Sequence, residues 1–212
     1  MSTPDTRPRT RKTPEQRAGE IYDAAIAIAR EKGLSALTLR AVAGRAGVAP
    51  GLVSHYASSM DELVARTFRE LTASELDDVR TQAETESEPA ARRARMISTV
   101  ISSGHDDITL VWVDAWSLCR GSAALSVTID EQMSAWQSFI AQLIEEGRRS
   151  GVFRTDDTDA VAWQILAMID GIAAHALTRR TDAALFAARL AQACETLVGA
   201  APGKIAEHLP TR

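Results

Sequence analysis

Ser54 and His55 carry hydrogen-bond donors and acceptors within a short stretch that has little strongly apolar bulk. They stand in LRAVAGRAGVAPGLVSHY (39–56), where Gly47 separates two helix-sized pieces and Pro50 follows three residues later. A serine hydroxyl and an imidazole can hydrogen-bond the base edges or the phosphate oxygens of DNA. The stretch therefore predicts recognition of a nucleic acid, if the two pieces hold these side chains outward.

A helix-turn-helix is the arrangement that would hold them outward. Thr38 is placed to cap a helix over 39–46, and a second helix spans about 49–56. Gly47 can adopt the positive φ that a sharp turn between two helices requires. A preceding helix, for which Thr13 is the predicted N-cap, would complete a three-helix unit.

Nine residues of this unit are predicted to contact DNA. Thr38 and the first amides of its helix form a positive helix end suited to a phosphate, and the arginines can add backbone contacts. Gly51 permits close approach within a major groove about 12 Å wide. A structural role is the alternative for each residue, since Tyr56 can pack inward and Arg45 can simply be solvated. The nine are Thr38, Arg40, Arg45, Ala49, Pro50, Gly51, Ser54, His55 and Tyr56.

The charge distribution favours contact between the N-terminal part and a polyanion. The chain of 212 residues has a formal net charge of -4. Residues 1–60 hold nine Lys or Arg against five acids, whereas residues 61–212 hold fifteen against twenty-three. Residues 1–12 are rich in Pro, Thr and Arg, which predicts a disordered basic arm. This arm either enters the adjacent minor groove or only improves solubility.

Several classes of protein are excluded by what the sequence lacks. The four histidines are scattered, and neither Cys-x-x-Cys, His-Glu-x-x-His nor a glycine-rich phosphate loop occurs. Cys119 and Cys194 lie far apart within helical patterns and are most simply buried apolar side chains. We therefore expect no enzyme, no cofactor and no metal site. The polar N-terminus and the lack of a long apolar stretch predict a cytoplasmic protein without a membrane partner.

Helical periodicity continues along the chain and predicts an all-α fold of about nine helices. Beyond the N-terminal unit, helices are expected at about 61–83, 89–103, 106–121, 122–150, 158–179 and 182–200. The predicted domains are a disordered basic arm (1–12), a helix-turn-helix DNA-binding domain (13–57), a helical ligand-binding and dimerisation domain (58–200) and a flexible tail (201–212).

The C-terminal helices offer candidates for a ligand cavity and for a dimer interface. Trp112 and Trp116 lie one helical turn apart, and Trp136 lies on the next long helix. Together with Met168 they are predicted to bind a ligand, and ring faces would suit a flat or cationic molecule. Simple core filling is the alternative. The last two predicted helices are apolar on more than one narrow stripe, which favours a symmetric four-helix interface over burial within one chain.

The stretch LTLRAVAGRAGVAPGLVSHYASSMDELVARTF (37–68) resembles the DNA-binding domain of the TetR family of bacterial transcriptional regulators. The matching features are the Thr-x-x-x-x-Ala-x-x-Ala-Gly-Val run over 38–48, Gly51, His55-Tyr56 and the Ser-x-Asp-Glu-Leu opening over 59–63. The rear of the chain is similar to the BetI-like, choline-responsive subgroup in Trp136, GRRSGVF (147–153) and Asp170-Gly171, as is Ser54-His55-Tyr56 in front.

This resemblance implies a homodimeric, ligand-responsive regulator, most simply a repressor. Each subunit would place the helix over 49–56 in a major groove of a palindromic operator. A small-molecule inducer in the rear bundle would then change the separation of the two reading helices, with the helix from Asp61 as a lever. Ala57 and Met60 depart from the family, which usually has an aromatic residue and commonly a phosphate-contacting lysine there. A helical adaptor that binds another protein without DNA is the alternative function.

Overall fold

The structure, a computed structural model, describes residues 12–101, 106–178 and 182–210. These residues form α-helices and short 3-10 turns, without a strand among them. The helices are α1 (Pro14–Lys32), α2 (Leu39–Ala46), α3 (Pro50–Tyr56), α4 (Met60–Glu84), α5 (Pro89–Ile101), α6 (Asp106–Leu118), α7 (Ala123–Arg149), α8 (Thr158–Ala176) and α9 (Ala183–Leu197). The predicted all-α fold is confirmed. Of the predicted basic arm, all but Lys12 lies outside the described residues.

Local capping explains where the first helices begin and end. Thr13 accepts a hydrogen bond from the amide of Gln16 at 3.3 Å, and the Gln16 side chain accepts one from the Thr13 amide at 2.9 Å. The Thr38 hydroxyl accepts from the amide of Ala41 at 3.1 Å and starts α2. Gly47 ends α2 in the left-handed conformation, with φ 65° and ψ 36°. The turn between α2 and α3 therefore forms where the glycine predicts it.

Two apolar cores hold the molecule together. The first joins α1–α3 to the N-terminal half of α4 through side chains such as Ile21, Val53 and Phe68, and it also includes Val111 and Ala115 of α6. The second fills the space between the C-terminal part of α4 and helices α5, α7, α8 and α9. Since α4 and α6 belong to the N-terminal core and also reach the rear bundle, they connect the two halves.

The end of the chain corrects one expectation. The prediction of a flexible tail over 201–212 is wrong for residues 201–210, because Ile205 is fully buried in the second core. The buried carboxylate of Glu195 on α9 accepts hydrogen bonds from the amides of Gly203, Ile205 and Ala206 at 2.8–2.9 Å. This one side chain satisfies three backbone donors and fixes the segment against α9.

Candidate membrane spans and candidate metal clusters are both absent from the described part of the chain. None of its helices is long and apolar enough to cross a bilayer. No group of three or more His, Cys, Asp or Glu side chains is placed there to hold a metal ion. Cys119 is half-buried and Cys194 is buried, and both are free thiols.

Candidate DNA-binding face and ligand cavity

Helix α3 turns its small and polar residues outward. Pro50 occupies the first turn, and Val53 is fully buried and fixes the inner face of the helix. Ser54 and His55 are exposed. The half-buried Tyr56 packs on the first core, and the rings of His55 and Tyr56 meet edge to face with centroids 5.1 Å apart. Tyr56 therefore packs against the ring of His55 from the side of the core, whereas Ser54 and His55 are exposed to solvent.

Four further residues that are predicted to contact DNA are also exposed. Ala49, Pro50 and Gly51 are exposed at the start of α3, and nothing lies within 4 Å of a Cβ placed at Gly51. Thr38 is exposed while it caps α2. A small side chain at each of these positions lets backbone approach a groove closely.

The two predicted arginines are not equivalent. Arg45 forms a fork with Glu31 of α1, with distances of 2.7 Å and 2.6 Å between its two terminal nitrogens and the carboxylate oxygens. This bidentate pair holds the pKa of Glu31 below its usual value. Arg40, in contrast, is exposed and forms no hydrogen bond or ion pair with any residue that the structure describes. Of the two arginines, Arg40 is therefore the one that no described carboxylate holds.

A partly open, largely apolar cavity lies between helices α4, α5, α6, α7 and α8. Three of the predicted ligand residues come together in its wall, namely Trp112, Trp116 and Trp136. The lining residues within the described part of the chain are Glu75, Val100, Thr109, Trp112, Trp116, Met133, Trp136, Leu166, Ile169, Asp170 and Ala173.

Met168, the fourth residue predicted to bind a ligand, is not among the described residues that line this cavity. Helix α8 turns Leu166, Ile169, Asp170 and Ala173 toward the cavity. Met168 stands on a different face of the same helix, because each residue advances about 100° around the axis, and it packs against the second core.

Two carboxyl groups in the lining were missed by sequence reasoning. Glu75 on α4 accepts a hydrogen bond from Nε1 of Trp112 at 3.1 Å, and Asp170 on α8 is partly buried. Burial raises the pKa of each group to about 7. For Glu75 the sequence signal was an acid at a position of helical spacing that otherwise faces the core, and Asp170 was noted only as part of the Asp170-Gly171 pair of the BetI-like pattern. That signal does not separate a cavity wall from a solvated face.

Helix α6 forms one wall of the cavity and also contacts the DNA-binding unit. Its Trp112 packs edge to face on Phe68 of α4, with centroids 4.9 Å apart. On another face, Asp107 pairs with Arg30 of α1 at 2.8 Å. Asp114 accepts a hydrogen bond from the amide of Ser35 at 2.9 Å. A displacement of α6 would therefore change the shape of the cavity and the contacts with α1 at the same time.

Family comparisons agree with both halves of this arrangement. Residues 21–67 match the family model described as bacterial regulatory proteins of the tetR family. Residues 89–201 match the model for the C-terminal domain of BetI-type transcriptional repressors.

Individual relatives give the same result. The HTH-type transcriptional regulator BetI of Rhizobium meliloti is 27% identical over 152 residues, which cover 72% of this chain and 73% of that protein. PksA of Bacillus subtilis is 24% identical, with 77% of this chain and 80% of that protein covered. Among solved structures, a transcriptional regulator from Saccharomonospora viridis in complex with choline superposes with a TM-score of 0.73 at 19% identity, covering 87% of this chain and 96% of that one.

Proposed function

Because this chain belongs to the TetR family of transcriptional regulators and has a BetI-type C-terminal domain, we propose that it is a homodimeric repressor released from a palindromic operator by a small organic cation. Helix α3 of each subunit would enter one major groove, with the two grooves about 34–36 Å apart. The observation that carries the DNA-binding half is the outward display of Ser54 and His55 on a helix fixed by the buried Val53.

An apolar surface on the last two helices supports the homodimer. Trp163 of α8 and Leu185 of α9 are 58% and 51% exposed in the single chain. Large apolar side chains on neighbouring helices favour burial against another surface, and a second copy supplies the same patch by two-fold symmetry. Trp163 thereby takes a role different from the cavity tryptophans.

The composition of the cavity supports a cationic ligand. Three indole rings surround the space, and a ring face attracts a cation by about 0.5–2 kcal/mol. Glu75 and Asp170 add two acidic groups, and among the described residues no Lys, Arg or His belongs to the lining. The choline complex of the Saccharomonospora viridis regulator is consistent with such a ligand in a protein of the same fold.

Helices α4 and α6 are the elements that would transmit ligand binding to α3. Helix α4 begins directly after α3 and carries Glu75 in the cavity wall. Helix α6 contacts the DNA-binding unit through Asp107 and Asp114. A ligand that prefers one arrangement of these helices shifts the population of dimers that fits the operator.

Selection of bound sequences from a random duplex pool tests the proposal. We expect the wild-type protein to enrich a palindrome, and His55→Ala to weaken the enrichment or change the preferred bases. His208→Ala removes another exposed histidine, which lies in the C-terminal segment, and should leave the palindrome unchanged. An absence of enrichment, together with an absence of salt-sensitive binding to duplex DNA, would instead favour the helical adaptor.

A further inference from the structure

Glu75 and Asp170 are two acidic groups that face one largely apolar cavity from different helices. Glu75 keeps its hydrogen bond from Trp112, whereas Asp170 has no hydrogen bond or ion pair with any residue in the described ranges. Two ionised carboxylates in such a space lose hydration and repel one another. The cavity therefore disfavours the state in which both groups are charged and no cation is bound.

The surroundings add little positive charge to offset this cost. Among the residues that the structure describes, the charged groups that face Glu75 are Asp107 from α6, Asp170 from α8 and Arg30 from α1. Arg30 is already paired with Asp107 at 2.8 Å. The cavity residues from α5 and α7 are uncharged, and so are the other lining residues from α6 and α8. A proton or a bound cation is what can neutralise the pair.

We propose that an organic cation and a proton compete for this carboxyl pair, so that binding of the cation releases a proton to the solvent. A protonated carboxyl loses its proton to the buffer, and the positive charge of the cation takes the place of that proton beside the carboxylate. The inference rests on the proposed cationic ligand and adds a regulation of its site. As a consequence, the same concentration of cation releases less protein from DNA at acidic pH.

The pKa values give the expected size of the effect. Burial raises the pKa of both carboxyl groups to about 7, so that each is near half-protonated at pH 7. If one group must ionise, affinity for the cation falls about tenfold between pH 8 and pH 6, and if both must ionise it falls about a hundredfold. At pH 7 about 0.5 to 1 proton leaves per bound cation.

Isothermal titration calorimetry with choline chloride and with tetramethylammonium chloride tests the exchange on the full-length protein. Titrations at pH 7 in buffers with different heats of ionisation give the number of protons released from the slope of heat against buffer heat. We expect a slope of about 0.5 to 1 proton and a dissociation constant about 10 to 100 times higher at pH 6 than at pH 8. A slope of zero with an affinity independent of pH overturns the exchange and leaves the cationic ligand standing. Failure of both cations to bind between pH 6 and pH 8 overturns the ligand class as well.

Single substitutions assign the released proton. Glu75→Gln and Asp170→Asn each remove one titrating group, and we expect each to lower the number of protons released and to flatten the pH dependence. Asp78→Asn on the exposed face of α4 is the matched control and should change neither quantity. If both cavity variants release the wild-type number of protons, the carboxyl pair is not the exchanging group and the proposal is wrong.

Discussion

The two arginines of α2 provide a test of how the structure distributes phosphate contacts. Arg45 is held by Glu31 in a fork of 2.7 Å and 2.6 Å, whereas Arg40 is unpaired among the described residues. Each phosphate that a protein neutralises contributes about 0.9 to the slope of log affinity against log salt. A dimer has two copies of each arginine. Arg40→Ala should therefore reduce the slope by about 1.8, and Arg45→Ala by less than about 0.5.

Fluorescence anisotropy on a labelled operator duplex at several salt concentrations measures these slopes. Glu31→Gln supplies the converse perturbation, because it frees Arg45 and should steepen the slope by up to about 1.8. The low pKa of Glu31 keeps it ionised throughout the neutral range, so the difference between variants should not depend on pH there. Equal losses of slope in Arg40→Ala and Arg45→Ala would refute the reasoning, since they would mean that Arg45 leaves Glu31 when DNA binds.

Three further perturbations test the bundle and its link to the DNA-binding unit. A Cβ at Gly147 would overlap the ring of Phe153, so Gly147→Ala should lower the free energy of unfolding by about 1–3 kcal/mol in urea titrations. A Cβ at Gly19 meets nothing within 4 Å, so the control Gly19→Ala should raise the free energy of unfolding by about 0.5–1 kcal/mol. Equal effects of the two substitutions would contradict the overlap at Gly147. Burial raises the pKa of Glu75 from 4.5 to about 7. The contribution of protonated Glu75 to the free energy of unfolding is therefore complete below pH 4.5 and is lost as the pH rises through 7. Glu75→Gln should therefore raise stability by about 3 kcal/mol at pH 8 and leave it unchanged at pH 4, whereas equal melting shifts at both pH values would contradict burial as the cause. Asp114→Ala removes the carboxylate that accepts a hydrogen bond from the amide of Ser35, in the turn that follows α1. Coupling between two sites typically changes affinity by about 5–150-fold. We expect the effect of the cation on operator affinity to fall from this range toward one, while the affinity for the cation stays the same. An unchanged effect in anisotropy titrations with choline would exclude this contact from the coupling.

Much of the DNA-binding unit could be predicted from sequence because its signals are local. Thr38 caps a helix through an amide three residues away, and Gly47 turns the chain at its own position. The inward Val53 and the outward Ser54 and His55 follow from helical spacing alone. The contrast between Arg40 and Arg45 could not be predicted, since the carboxylate that holds Arg45 lies fourteen residues earlier on another helix.

The ligand cavity was predicted only in part. Sequence spacing places Trp112 and Trp116 on one side of a helix, and periodicity places Trp136 on the inner face of the next. Glu75 and Asp170 belong to helices almost a hundred residues apart in sequence, and each alone is consistent with an ordinary solvated acid. Helix packing brings them to one wall, turns Met168 away and raises both pKa values by removing water. The sequence by itself therefore determined the helices, their caps and the reading face, because those depend on neighbours within a turn or two. Only the tertiary structure decided which charges share a cavity, because burial and repulsion depend on distances between helices that no local pattern specifies.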